Sequence, residues 1–210
     1  ILVTGGSGFL GRAIVKELLD SDSPFQQAQI SIFDSKDFPE KLANNVNFVK
    51  GDICSYESIR DASKHMDMLI HSAAIVDWGT KSEKEVYEVN YIGTQHVVQA
   101  CRENKIPMLV YTSSLDTVID GNPLVDIDET HPYPEEHPNM YCKSKYLSEK
   151  LVREANSPGL RTCVLRPSDI YGENDPYHIQ PLINMAKGGF YVRIGDGSAK
   201  SQHVYVGNIA

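Results

Sequence analysis

Two overlapping Tyr-x-x-x-Lys pairs, Tyr141/Lys145 and Tyr146/Lys150, have the residue types and the spacing to move a proton. A phenol of ordinary pKa near 10 is only about 0.1% ionised at neutral pH, so it serves as an acid/base only with help. A lysine four positions on in a helix lies one turn away and can supply the positive charge that favours phenolate. Spacing does not choose between the pairs, because a chain with 11 tyrosines produces such a match by chance. Helical register does choose. At about 100° per residue, the stretch from Tyr141 to Ala155 gathers Leu147, Leu151, Ser144, Ala155, Ser148, Tyr141, Val152 and Lys145 on one side. The other side carries Glu149, Arg153, Tyr146, Lys150, Lys143 and Glu154, with Glu149/Arg153 and Lys150/Glu154 four apart as on a solvated surface. Tyr141 and Lys145 border the inward face and are the functional pair; Tyr146 and Lys150 belong to the surface.

Such a pair needs a scaffold, and the chain supplies alternating short β-branched runs and longer amphipathic stretches, the pattern of βαβ units and a parallel sheet. Strands are expected at residues 1–4, 30–33, 46–49, 68–71, 108–113 and 162–166, and helices at 9–19, 56–64, 84–104, 141–155 and 181–187. The fold class that follows is α/β, a doubly wound parallel sheet with helices on both faces, forming one dinucleotide-binding Rossmann domain over residues 1–210. Asp128 to Pro138 reads as a loop delivering the chain to the Tyr141 helix. A strand-like segment, His203 to Val206, lies near the end, and the substrate-binding portion is expected mostly beyond the C-terminus.

Gly5, Gly8 and Gly11 in Thr4-Gly5-Gly6-Ser7-Gly8-Phe9-Leu10-Gly11 follow the first strand and open the first helix. In that context Gly5 allows a tight turn, Gly8 lets backbone approach a pyrophosphate, and Gly11 lets the helix sit close to the sheet. The helix start, at Phe9 and Leu10, then offers free N–H groups to phosphate. Asp34, ending the second strand, is placed to accept from an adenosine ribose and to repel a 2′-phosphate, so NAD is favoured over NADP. Lys36, two residues on, opposes that preference in part.

A net charge of −8 without a Lys/Arg run argues against nucleic acid or an anionic membrane surface as the main partner. Cys54, Cys101, Cys142 and Cys163 have no metal-type spacing and read as core fillers, and no Asn-x-Ser/Thr acceptor is present. This points to a reducing compartment, the cytoplasm or the cytosolic face of an intracellular membrane, rather than secretion. No apolar run reaches the ~18 residues of a membrane span.

The glycine opening, Asp52 in Gly51-Asp52-Ile53, His71-Ser72-Ala73-Ala74, Asn90 in Val89-Asn90-Tyr91-Ile92-Gly93-Thr94, Thr112-Ser113-Ser114, Tyr141/Lys145 and Leu165-Arg166-Pro167 together resemble the extended short-chain dehydrogenase/reductases, over essentially the whole chain. Ile75 to Gly79, Tyr111 to Ser114, Arg166 to Gly172 and Val204 to Asn208 are similar to the 3β-hydroxysteroid dehydrogenase and sterol dehydrogenase branch. The resemblance implies that Asp52 and Ile53 flank the adenine, that Ala73 and Ala74 line the cofactor trough with Asn90 in the same set, and that Pro167 sits against the nicotinamide. It implies a steroid or sterol substrate; membrane association of the whole protein and a homodimer are further expectations, and no metal is expected.

The implied chemistry is oxidation of a 3β-hydroxyl. Tyr141 takes the hydroxyl proton as hydride leaves the same carbon for NAD, Lys145 also holds the nicotinamide ribose, and Ser114 orients the substrate oxygen. Ser114 matches the family position better than Ser113, and strand alternation lets only one of them point inward. Asp77, Trp78 and Tyr171 are expected to frame the reactive end. Leu115 to Gly121 departs from the Val-Tyr-Gly of nucleotide-sugar relatives, which weighs against an epimerase or dehydratase. A flavonoid-type ketone reductase is disfavoured by Asp34. A catalytically silent dinucleotide-binding regulator would need no Ser114, Tyr141 and Lys145.

Overall fold

The computed structural model describes residues 1–39, 46–77, 79–189 and 195–210. The first strand, β1 (Leu2–Thr4), is apolar on both sides because both sides are covered. Leu2 enters one buried cluster with Phe33, Leu69, Val97 and Val152, whereas Val3 enters a second with Ile14, Val15, Ile30 and Ile32. The helix α1 (Phe9–Leu19) builds the second cluster; α2 (Tyr56–Ala62), α4 (Gly93–Glu103) and α5 (Met140–Glu154) build the first. Each fully buried side chain of this kind contributes roughly 1.5–3 kcal/mol.

Between these layers β1 pairs in parallel with β2 (Ile30–Asp34) and β4 (Leu69–His71), and the sheet runs β3-β2-β1-β4-β5-β6 with β3 (Val46–Lys50), β5 (Met108–Thr112) and β6 (Arg161–Leu165). The expected Rossmann-type sheet is the observed one. Its strand order reverses between β1 and β4, and the crevice beyond their C-terminal ends is where such sheets bind ligands.

The helix expected over 84–104 is one rod with a fault in it: α3 (Glu83–Tyr87) passes through a π-helical turn at Glu88–Ile92 into α4. The Asn90 carbonyl at the fault accepts from Thr94 Oγ1 at 2.6 Å and Ser148 Oγ at 2.8 Å, so side chains satisfy it. A 3-10 turn at Leu115–Val118, a two-stranded parallel pair of β7 (Asp169–Tyr171) with β8 (His203–Tyr205), α6 (Ile179–Lys187) and the short α7 (Val206–Ile209) complete the chain. The 3-10 turn, β7 and α7 are too short to leave a periodic signal. Cys101 and Cys142 are buried as expected, but Cys163 is exposed, because β6 is an edge strand whose Arg161, Cys163 and Leu165 face outward. Among the described residues no helix is long and apolar enough to cross a membrane.

Candidate active site

The trough begins at the glycine loop. Gly5 has φ +72°, and a Cβ there would come within 2.7 Å of the Ala73 backbone, so both conformation and contact require glycine. Gly11 is buried where α1 crosses the Gly5–Gly6 backbone, which a side chain would overlap. Gly8 is exposed at the N-cap of α1 and caps it with no side chain, so the first amides of the helix, at Phe9 and Leu10, face the trough without a side-chain acceptor. Asp34 closes this end. Its Oδ2 accepts from Ser7 N at 3.0 Å and its Oδ1 from Lys36 N at 2.9 Å, which leaves further carboxylate lone pairs for ribose hydroxyls. Lys36 thus engages Asp34 through its backbone.

Farther along, Asp52 lines the trough and also accepts from Cys54 N at 2.9 Å, holding the turn into α2. Ile53 is buried against the start of α4, where a Cβ on Gly93 would meet it at 2.9 Å. Ala73 and Ala74 form the wall after β4, and Pro167 lies on the trough with its carbonyl accepting from Leu115 N at 2.9 Å. Asn90 sits behind this wall. Its Oδ1 accepts from Ile75 N at 2.8 Å, while its Nδ2 donates to Ile75 O at 3.0 Å and Ser144 Oγ at 3.1 Å. With its amide so engaged, Asn90 ties the trough wall to α5.

At the far end Ser114, Tyr141 and Lys145 come together. Asn139 caps α5 by accepting from Cys142 N at 2.9 Å, which sets Tyr141 in the first turn, half-buried on the trough. Lys145 is 3% exposed, donates to Thr112 O at 2.6 Å and lies 4.8 Å from the Tyr111 ring centroid. Burial brings its pKa down to about 8 against the pull of Asp116 and Glu149. Burial also pushes the Tyr141 phenol above its ordinary value, the Asp116 carboxylate adds to the rise, and the neighbouring Ser114 hydroxyl opposes it. The expected lowering of the phenol by Lys145 is therefore not the net effect of this geometry, since the ammonium is turned to the Thr112 carbonyl and burial dominates. Ser113 and Ser114 both border the trough but spend their hydroxyls differently: Ser113 Oγ donates to Glu149 at 2.5 Å, and Ser114 Oγ pairs with Asp116.

Three expectations need correction. Glu149 is 1% exposed, not part of a surface stripe. It accepts from Arg166 Nη2 at 2.6 Å, Tyr133 Oη at 2.7 Å and Ser113, so a carboxylate is buried because residues distant in sequence satisfy it. Arg153 turns instead to Tyr133 Oη at 2.9 Å. Tyr146 is half-buried, its ring 4.7 Å from those of both Tyr133 and His137. Tyr171 packs on Tyr205 and is 38% exposed, and the Asp77 carboxylate is spent on the Gly79 to Lys81 turn, so neither frames the reactive end. Trp78 lies outside the described residues. One residue of the site was not singled out beforehand. Asp116, in the 3-10 turn after β5, lies on the trough with its Oδ2 2.9 Å from Ser114 Oγ. Its two-residue spacing from Ser114 is the signal that could have found it.

Residues 2–210 match the model of the 3-beta hydroxysteroid dehydrogenase/isomerase family. The chain is 36% identical to the 3 beta-hydroxysteroid dehydrogenase/Delta 5-->4-isomerase of Monkeypox virus, over 99% of this chain and 63% of that protein. It is 36% identical to human 3 beta-hydroxysteroid dehydrogenase type 7, over 100% of this chain and 60% of that one. The sterol-4-alpha-carboxylate 3-dehydrogenase, decarboxylating, of Candida albicans is 33% identical over 100% of this chain and 62% of that protein. The chain thus spans about three-fifths of the length of these relatives. Among solved structures, the UDP-glucose 4-epimerase of Thermus thermophilus, complexed with NAD, superimposes with TM-score 0.77 at 25% identity, covering 99% of this chain and 71% of that one. The Streptomyces venezuelae dTDP-glucose 4,6-dehydratase DesIV gives TM-score 0.82 at 24% identity over 98% of this chain and 67% of that one, a likeness of fold. With that model matched across residues 2–210, on a chain whose glycine loop, Asp34 and Ser-Tyr-Lys cluster share one trough, the chain belongs to the 3-beta hydroxysteroid dehydrogenase/isomerase family.

Proposed function

We propose that this chain is the cofactor-binding and proton-transfer part of an NAD-dependent dehydrogenase that oxidises a 3β-hydroxyl of a steroid or sterol. The observation that carries the reading is the meeting of Ser114 and Tyr141 at one end of a trough whose other end is the glycine loop and Asp34. The start of α1 holds a pyrophosphate, Asp34 accepts from the adenosine ribose, and Ala73, Ala74 and Pro167 bound the nicotinamide end. A bound NAD would supply the hydride acceptor. Tyr141 takes the hydroxyl proton; Ser114 positions the substrate oxygen. Lys145, fixed on Thr112 O, keeps two N–H donors for ribose hydroxyls. The relatives named as steroid and sterol dehydrogenases support the substrate class.

Assaying the full-length protein with NAD against a sterol panel and a UDP-sugar panel tests the reading. Turnover of 3β-hydroxysterols supports it; turnover confined to UDP-sugars overturns it in favour of an epimerase or dehydratase. Tight NAD binding with no turnover on either panel favours a silent regulator. Product analysis separates simple oxidation from oxidation followed by isomerisation or decarboxylation.

A further inference from the structure

A serine hydroxyl has one proton and two lone pairs. For Ser114 the structure accounts for two of the three. An ionised carboxylate only accepts, so the 2.9 Å contact with Asp116 Oδ2 uses the Ser114 proton, and one lone pair accepts from Asp116 N at 3.2 Å. A single lone pair is left for the trough. Held this way, Ser114 can accept a hydrogen bond from a substrate alcohol but cannot donate one to a ketone oxygen. If Asp116 carries a proton, its carboxyl donates to that last lone pair, and the Ser114 proton is released toward the substrate.

We propose that Asp116 is a positioning residue that sets the polarity of Ser114: as a carboxylate it makes Ser114 an acceptor matched to the alcohol, and as an acid it makes Ser114 a donor matched to the ketone. The proposal rests on the dehydrogenase reading of this site. Its geometry is fixed by the backbone, since Leu115 N donates to Pro167 O at 2.9 Å and Thr117 Oγ1 to Ser114 O at 3.0 Å, holding the 3-10 turn closed around the pair. The groups facing Asp116 are Lys145, Tyr141 and Cys142 from α5 and Asp169 from β7. Burial and the Asp169 charge push the Asp116 carboxyl above the usual range, against the Ser114 hydrogen bond and the Lys145 charge. The acid form is thereby brought closer to working pH.

The test uses the full-length protein with NAD bound and carboxyl-13C aspartate. The Asp116 resonance is assigned by its loss in Asp116→Asn. Its titration midpoint is expected above the ordinary aspartate value of about 3.9 and higher still in Ser114→Ala, which removes the donor that favours the carboxylate. Cholestanone against the NAD-bound protein and cholestanol against the NADH-bound protein, the pairings that cannot react, are then titrated across that midpoint. Affinity for the ketone relative to the alcohol is expected to rise about fivefold to tenfold below the midpoint, the worth of one hydrogen bond. This pH dependence should vanish in Asp116→Asn and return in Asp116→Glu. A midpoint in the ordinary range, one unmoved by Ser114→Ala, or the same pH-dependent preference in Asp116→Asn would overturn the proposal. If neither sterol binds while the carboxyl titrates high and moves with Ser114→Ala, the polarity coupling stands and the sterol reading falls.

Discussion

Tyr141 and Tyr146 lie five residues apart on one helix, yet only Tyr141 opens onto the trough beside Ser114. Tyr141→Phe is expected to lower kcat by at least about 100-fold, the usual worth of a positioned acid/base, while leaving the NAD dissociation constant within about twofold. Tyr146→Phe keeps its ring packing on Tyr133 and His137 and should change kcat less than about twofold. Steady-state rates and calorimetric NAD titrations of both variants check this, and a larger loss in the Tyr146 variant would place the proton relay on the other pair. Asp34 accepts from Ser7 N, which shapes the glycine loop, and is proposed to recognise the ribose as well. Asp34→Ala should weaken NAD binding about tenfold and narrow the preference over NADP, read by fluorescence titration with each cofactor. An unchanged preference would assign the discrimination elsewhere.

At the scale of elements, α5 shows where helical periodicity works and where it fails. Tyr141, Ser144, Lys145, Ser148 and Val152 all fall on the face predicted to turn inward. Glu149 sits about 40° around the helix from Lys145, and as an acidic residue next to Arg153 it reads as solvated. It is buried only because Arg166, from the segment after β6, reaches it with side-chain exposures of 13% for the arginine and 2% for the glutamate. Removing one partner leaves a buried charge, so Glu149→Ala should cost about 3–5 kcal/mol in urea unfolding. The double variant Glu149→Leu/Arg166→Met should recover most of that loss. Equal losses in the single and double variants would show that the pair's packing, not its charge balance, matters. The same network commits the Ser113 hydroxyl to Glu149, whereas Ser114 pairs with Asp116 on the trough.

At the scale of the whole molecule, His71 links three elements, two strands of the sheet and the helix packed on it. It ends β4 at 0% exposure between Thr4 Oγ1 of β1 at 2.7 Å and Thr94 Oγ1 of α4 at 3.0 Å. Burial, with Lys145 adding, brings its pKa from 6.5 down to about 3. In that interval the unfolded chain binds a proton that the folded chain refuses, so His71 contributes full stability above about pH 6.5 and progressively less as pH falls toward about 3. Urea unfolding from pH 7 to pH 4 should therefore show stability falling by several kcal/mol, with a shallower slope in His71→Gln. Parallel slopes would mean that other groups drive the acid sensitivity.

The strand and helix alternation, the glycine loop and the inward pair on α5 were legible in the sequence because each is a local matter of period, backbone freedom or residue spacing. The six sheet strands and their Rossmann-type arrangement follow from that alternation, whereas the family whose model matches residues 2–210 was legible as a resemblance carried by its motifs. Other features came from the tertiary structure alone. The π-helical turn at Asn90 exists because Thr94 and Ser148 satisfy its carbonyl, and Ser148 comes from a helix 58 residues away in sequence. Burial of Glu149 depends on Arg166, and the net rise of the Tyr141 phenol depends on how deeply the fold encloses it beside Asp116. Periodicity reports which face of an element turns inward; which polar partner waits there, and whether it meets the group's hydrogen bonds and charge, is set only when distant segments pack.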